Sequence, residues 1–434
     1  MKTARVLIFK SIAMATLASS ATLAWPATAA SEIDANQKVL HVATDYIRAD
    51  ISLEHPGFAA LSLDSLGKEH FPPVIFHLST TQSLTSGVPH GNRVDYHRLD
   101  SHVSRLASWS LEVGSDTIYL TSRWSAGDPP APMVLDMDNQ VCHVTLLGLM
   151  LPDGSIQLPA IMHFPDQGSF RISVIRGKIP SLGYSVGQGD LGEHQARSVQ
   201  VTFPAATEAN PVVAYKWKVV AIHPKIPGIE SDARFDGFRR NWLDIFQLSP
   251  RWQMLANHAA SDTCAFCYYE YADIARVTPE LAGGFNALDM VRQTLDKIIA
   301  GANAYGMPGH GSFPEYSADT LPSLLIAAED YVEGSGDRKW LKSNYATLKS
   351  WADKMAATDK NSDGLIKYSL SGNSGSWPRK LKYRPANWWD TIGFGYEDAY
   401  ANALAYRALR GMENLAAEYH QKADQTFIES ATTS

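Results

Sequence analysis

Near Ile229 the spacing of apolar residues along this chain changes from that of strands to that of helices. Before that point TIYLTSRW, SIQLPAIMHF, FRISVIRG and VVAYKWKVVAI are short, rich in β-branched and aromatic residues, and often alternating. Turn-forming stretches separate such runs: SAGDPP at 125–130, PDG at 152–154 and PDQG at 165–168. No helix-period run interrupts them. Residues 31–228 are therefore expected to form an antiparallel β-sandwich rather than alternating βα units.

After a linker (229–250, with a helix expected from Phe235 to Leu248) the chain reads as helical from 251 to 434. FNALDMVRQTLDKIIA places Leu288, Val291, Leu295 and Ile298 on one helical face. RKWLKSNYATLKSWADKM does the same with Leu341, Tyr345, Leu348, Ala352 and Met355. Between and after them, DTLPSLLIAAEDYV and DAYANALAYRALRGMENLAA are apolar on almost every side. A helix apolar all round must be buried, and a one-faced helix lies outside it. This alternation describes a toroid of helical hairpins, whereas a two-layer bundle would make every helix one-faced. The inner helices are expected to begin at Asp319 and near Asp398, with both starts on one rim. About six helices are legible between 252 and the end, roughly half of a closed six-hairpin ring. The expected fold class is thus a β-sandwich followed by a partial (α/α)6 toroid, either half present or a piece of a longer sequence.

Charge and the N-terminus exclude several functions. Net charge is −7 and no basic run appears, which rules out the basic face that nucleic acid requires. Lys2, Arg5 and Lys10 precede a short apolar stretch (12–24), and PATAA offers cleavage after Ala29 or Ala30. The stretch is interrupted by Ser19 and Ser20 and is shorter than the ~20 residues of a membrane span. Residues 1–30 are therefore expected to be a signal peptide. The mature protein is expected to be secreted or periplasmic, with no membrane association. There are three cysteines, Cys142, Cys264 and Cys267, so at least one thiol stays free. Cys264 and Cys267 form a CxxC with no second ligand pair, and are read as small core residues on a helix. No cofactor and no metal is expected.

Four stretches carry candidate chemistry. In NWWDTIGFGYEDAYANALAYRAL, Trp388 and Trp389 stand directly before Asp390. The two rings supply flat apolar faces for sugar C–H groups, and desolvation beside them raises a carboxyl pKa. A raised carboxyl is what a general acid needs to protonate a glycosidic oxygen near neutral pH. The blander reading is a turn cap before the next helix. In GSFPEYSADTLPSLL, Glu315 and Asp319 precede a buried helix and are candidates for accepting hydrogen bonds from sugar hydroxyls, although Asp319 also suits an N-cap. DKNSDGL, from Asp359, imitates a calcium loop, but its twelfth position is Leu370 instead of an acidic ligand, so a tight turn is expected. Arg379, Lys380, Lys382 and Arg384 read as a solvated loop face rather than an anion site.

SADTLPSLLIAAEDYV followed by GDRKWL, DGLI, NWWD and the AYANALAYRAL helix resembles the six-hairpin glycosidase clan, which includes glucoamylases and cellobiose-type phosphorylases. The motifs cover residues 235–420; residues 31–225 match by architecture alone. The resemblance implies an (α/α)6 domain behind a β-sandwich, a carbohydrate substrate, and Asp390 as general acid. It also implies that Asp319 binds the sugar next to the cleaved bond. Glu315, Trp388 and Trp389 have no firm counterpart in the clan. The clan's hydrolytic base lies in later hairpins, beyond Ser434. The leading expectation is an exported inverting glycoside hydrolase. The alternatives are a glycoside phosphorylase, a polysaccharide lyase and a non-catalytic carbohydrate-binding protein. Export disfavours the phosphorylase, and lyases usually put the toroid first.

Overall fold

The computed structural model describes residues 30–65, 69, 71, 76–80, 87–97, 109–124, 131–138, 145–164, 167–188, 196–220, 247–256, 265–277, 280–281, 285–302, 319–367, 397 and 399–419. Among the described residues the N-terminal half is all β, and every strand pair in it is antiparallel. An eight-stranded sheet has Gly168–Arg176, Val212–Val220 and Thr117–Arg123 at its centre. A five-stranded sheet is built around Ser181–Gln188, Ala196–Phe203 and Met133–Asp138, and a four-stranded sheet runs from Ala30–Asp34 to Phe58–Leu63.

Alternation decides which face of each strand is buried. Along Thr117–Arg123, Ile118, Leu120 and Ser122 point inward and Tyr119, Thr121 and Arg123 are partly exposed. Trp217 joins the three sheets. Its ring stacks on Phe203 of the five-stranded sheet at 5.1 Å, meets Phe170 at 6.0 Å, and lies 6.3 Å from Phe58 of the four-stranded sheet. The two larger sheets thus face each other across a common aromatic core, as the strand pattern predicts.

The C-terminal half is mainly helical: α1 (Tyr268–Val277), α2 (Ala287–Ile299), α3 (Thr320–Ser335), α4 (Arg338–Ala356) and α5 (Ala399–Tyr419). Two small hairpins accompany them. One pairs Gln247–Ser249 with Met254–Ala256, so the expected linker helix ends in a strand at Gln247 and Leu248; its earlier residues lie outside those described. The other pairs Glu280–Leu281 with Phe285–Asn286.

The helix faces follow the apolar spacing. Leu288, Val291, Leu295 and Ile298 are buried on α2, and Leu341, Tyr345, Leu348, Ala352 and Met355 on α4. α3 is buried nearly all round, from Thr320 to Ala328 and again from Asp330 to Val332. α5 departs from expectation. It has one buried stripe, Ala401, Leu404, Ala405, Ala408, Leu409, Met412, Leu415 and Ala416, while Tyr406 is 57% exposed.

α3 packs between α1 and α5. The three run parallel: Tyr269 meets Ser323 at the starting ends, while Asp273, Asp330 and Arg407 meet further along. α4 runs against them, with Arg338 on Glu418 at 2.9 Å and Tyr345 stacked on Tyr419. Among the described residues these helices do not close into a ring. No helix among them is long and apolar enough to cross a membrane.

Candidate functional site at the starting ends of α1, α3 and α5

Each of the three parallel helices begins at the same rim. A 3-10 turn, Ala265–Cys267, leads into α1. The Tyr269 backbone N–H donates to Ser323 Oγ at 3.2 Å, which ties the start of α1 to that of α3. Tyr400, in the first turn of α5, shares a hydrogen bond with Tyr269, and the Tyr269 hydroxyl donates to Glu270 Oε1 at 3.2 Å.

Asp319 lies at the centre of this rim and is 1% exposed. It occupies the position before α3, and its backbone carbonyl accepts the Ser323 N–H at 3.0 Å. Its side chain makes no capping bond to the helix, because its backbone is already helical (φ −85°, ψ −12°). An N-cap needs extended backbone to swing its oxygen over the first-turn N–H groups. The Asp319 charge instead acts across the rim, on Cys267 and Tyr400.

The electrostatics follow from that placement. Burial raises the Tyr400 phenol, with its bond to Tyr269 and the Asp319 charge adding to the shift. Burial raises Tyr269 as well. Burial pushes the Cys267 thiol up to about 12, with Glu270 and Asp319 contributing, so it stays protonated and unreactive. Three parallel helix N-termini also direct positive dipole ends at the rim, which favours carboxylates there. The rim can therefore offer charged acceptors and phenolic donors to a polyhydroxylated ligand, with Tyr400 still 37% exposed.

About two turns further along, a charged clamp holds the same three helices. Asp330 of α3 is 2% exposed. Arg407 of α5 reaches its two oxygens at 3.2 and 3.0 Å, and Arg276 of α1 lies at 3.1 Å. The clamp fixes the register of α1, α3 and α5, and hence which residues meet at the rim.

Loop length separates the two ends of the helices. The segments entering α3 and α5 at the rim contain 20 residues (300–319) and 42 residues (357–398). The segments leaving α1 and α3 at the other end contain 9 (278–286) and 2 (336–337).

Of the sequence-derived candidates, Asp319 is at this rim. Glu315, Trp388, Trp389 and Asp390 lie outside the described residues, as do Arg379, Lys380, Lys382 and Arg384. The expected start points of the inner helices, Asp319 and near Asp398, match α3 and α5. Sequence reasoning missed Tyr269, Glu270 and Tyr400. Their only signal was three tyrosines and a glutamate bunched at 268–271. Cys267 is buried as expected, though in the 3-10 turn rather than a helix.

No protein-family model matches the chain, and no curated protein matches it in sequence. Among solved structures it is similar to the GH78 family rhamnosidase of Bacillus sp. GL1, at 12% identity and a TM-score of 0.35, covering 72% of this chain and 32% of that one. It is also similar to the family GH92 inverting mannosidase of Bacteroides thetaiotaomicron, at 12% identity and a TM-score of 0.24, covering 85% of this chain and 57% of that one. The chain thus spans about a third of the first structure's length and somewhat over half of the second's.

Proposed function

We propose that this chain belongs to an exported glycoside hydrolase whose sugar site is the rim where α1, α3 and α5 begin. The observation that carries this reading is Asp319: an almost fully buried carboxylate at a helix start that does not cap the helix, beside a partly exposed tyrosine. A carboxylate at the starting ends of three parallel helices is a ready acceptor for the hydroxyls of a sugar. In this reading Asp319 accepts hydrogen bonds from hydroxyls of the sugar next to the cleaved bond, and Tyr400 and Tyr269 line its approach.

Asp390 is the proposed general acid, with Trp388 and Trp389 as the apolar wall that keeps it protonated. It stands nine residues before Ala399, the first residue of α5. In this reading the short stretch between them brings Asp390 to the rim. An inverting reaction, with a separate base ~6.5–9.5 Å from the acid activating a water, fits the resemblance of the sequence. Glu315, five residues before Thr320, is proposed as a second acidic group of the same site.

The test compares leaving groups. Asp390→Asn is expected to lower hydrolysis of a poor-leaving-group glycoside by ~10²–10⁴-fold while sparing a glycosyl fluoride, whose departure needs little proton assistance. An equal, small effect on both substrates removes Asp390 from the mechanism. Repeating the assay with inorganic phosphate distinguishes hydrolysis from phosphorolysis by the product released.

A further inference from the structure

The segment after α4 is a turn that matches the first seven positions of a calcium loop, although its twelfth position, Leu370, carries no acidic ligand. Counting from Asp359 as position 1, Asn361 is 3, Asp363 is 5, Gly364 is 6 and Leu365 is 7, which is the order of oxygen donors and the obligate glycine in a twelve-residue calcium loop. The backbone agrees: Gly364 has φ +83°, and Asp359 Oδ2 accepts the Gly364 N–H at 2.9 Å. Position 9, which in such loops supplies an oxygen, is Lys367.

The Lys367 side chain turns back into the loop. Its Nζ donates to Asp363 Oδ1 at 2.5 Å, to the Leu365 carbonyl at 3.1 Å, to Asp359 Oδ1 at 3.4 Å and to Asn361 Oδ1. These are the donors from positions 1, 3, 5 and 7, converging on one point. Glu397, immediately before α5, adds a carboxylate at 3.7 Å. The lysine side chain is only 9% exposed, although its neighbours in sequence are mostly exposed. Among the described residues no group of His, Cys, Asp and Glu is arranged to hold a metal.

We propose that Lys367 is the resident cation of this loop: its ammonium stands where a divalent ion would stand, and the loop folds without metal. The charge balance supports this, since one ammonium faces Asp359, Asp363 and Glu397. The cage also reaches the rim. Next to Lys367, Ile366 is paired with Asn402 of α5 in both directions, its N–H donating to Asn402 Oδ1 at 2.8 Å and its carbonyl accepting from Asn402 Nδ2 at 3.2 Å. Lys367 therefore holds the first turn of α5, and with it Tyr400, through Glu397 on one side and Ile366 on the other. It is a positioning residue.

The test uses the intact chain with calcium chloride and EDTA. Wild-type melting is expected to be indifferent to both. Lys367→Gln is expected to melt lower by ~5 °C, and millimolar calcium chloride is expected to restore most of that loss, because the oxygen cage remains. A wild-type midpoint that falls with EDTA makes a metal the occupant and overturns the proposal. So does a Lys367→Gln protein that melts like wild type, or one that calcium leaves unrestored. A measurement on the wild type alone covers the case of a variant that does not fold. Reductive methylation followed by peptide mapping is expected to modify the exposed Lys339 and Lys342 and to spare Lys367. Equal modification of all three overturns the assignment.

Discussion

Asp319 is the residue whose two readings can be separated by experiment. If it capped α3, Asp319→Asn would cost little and Asp319→Ala ~1 kcal/mol of stability. Its side chain makes no capping bond, so no cap contribution is expected in the melting temperature of either variant. In the proposed role it gives charge-assisted hydrogen bonds worth ~1.5–3 kcal/mol. Asp319→Asn should then lower kcat/KM by ~10–100-fold. Steady-state kinetics beside a melting curve decides: lost stability with intact kinetics would leave Asp319 as a cap. Cys267 makes a second residue-scale prediction. With its thiol held up to about 12 by burial, native protein at pH 8 should leave Cys267 unmodified by iodoacetamide, and denaturant should expose it. Asp319 was legible because an acid directly before an apolar run is conspicuous. Tyr269 and Tyr400 were not, since a tyrosine on a helix reads as core until the neighbouring helix start is known.

Among the elements, α5 shows where sequence legibility stopped. Its alanines at 399, 401, 403, 405, 408, 416 and 417 count as apolar wherever they fall, so the helix reads as apolar all round. Alanine is nearly indifferent to burial, and only the larger residues mark the stripe. Leu404, Leu409, Met412 and Leu415 are buried while Tyr406 faces out. In α2 and α4 the apolar positions carry large side chains, and there spacing and burial agree. The clamp between elements was not legible at all, because Arg276, Asp330 and Arg407 are remote in sequence and meet only when α1, α3 and α5 align. Burial pushes Asp330 up to about 7, with Arg407 and Arg276 pulling the other way. An ordinary aspartate in the unfolded chain titrates near ~3.9. The folded state thus binds the proton more tightly, and this contribution to stability is fully present below about pH 4 and is lost as pH rises toward about 7. The wild-type melting temperature is therefore expected to fall between pH 5 and pH 8 by more than that of Asp330→Asn, which has no proton to lose. Parallel profiles for the two proteins would show that the clamp is ionised throughout.

At the scale of the whole molecule, α2 attaches the helical half to the β half. The Gln293 amide accepts the Met150 N–H at 3.0 Å and donates to the Met150 carbonyl at 2.6 Å. Gln293→Ala leaves both backbone groups of a buried residue without their partner, at a cost of ~1–3 kcal/mol. Calorimetry is expected to separate one melting transition into two, since the loss falls on the joint and not on either core; a single transition at the wild-type temperature would count against this joint. The order sandwich-then-helices was legible from the change of period, because that change is local. The joint was not, because it pairs a side chain with backbone 143 residues away.

The unequal loops have a consequence for descent. At the far end, the two-residue link between α3 and α4 leaves no slack, so a length change there must disturb helix packing. Residues 303–318 and 368–396 can gain, lose or exchange residues while α1, α3 and α5 stay locked by Asp330 and its arginines and the 359–367 turn stays fixed. If the proposed function holds, relatives that diverge in the sugar they accept should therefore differ by insertions and deletions in those two segments. They should keep the spacing from Tyr268 to Val277 and from Thr320 to Ala356 residue for residue. Selection can revise the substrate while inheriting the scaffold unchanged.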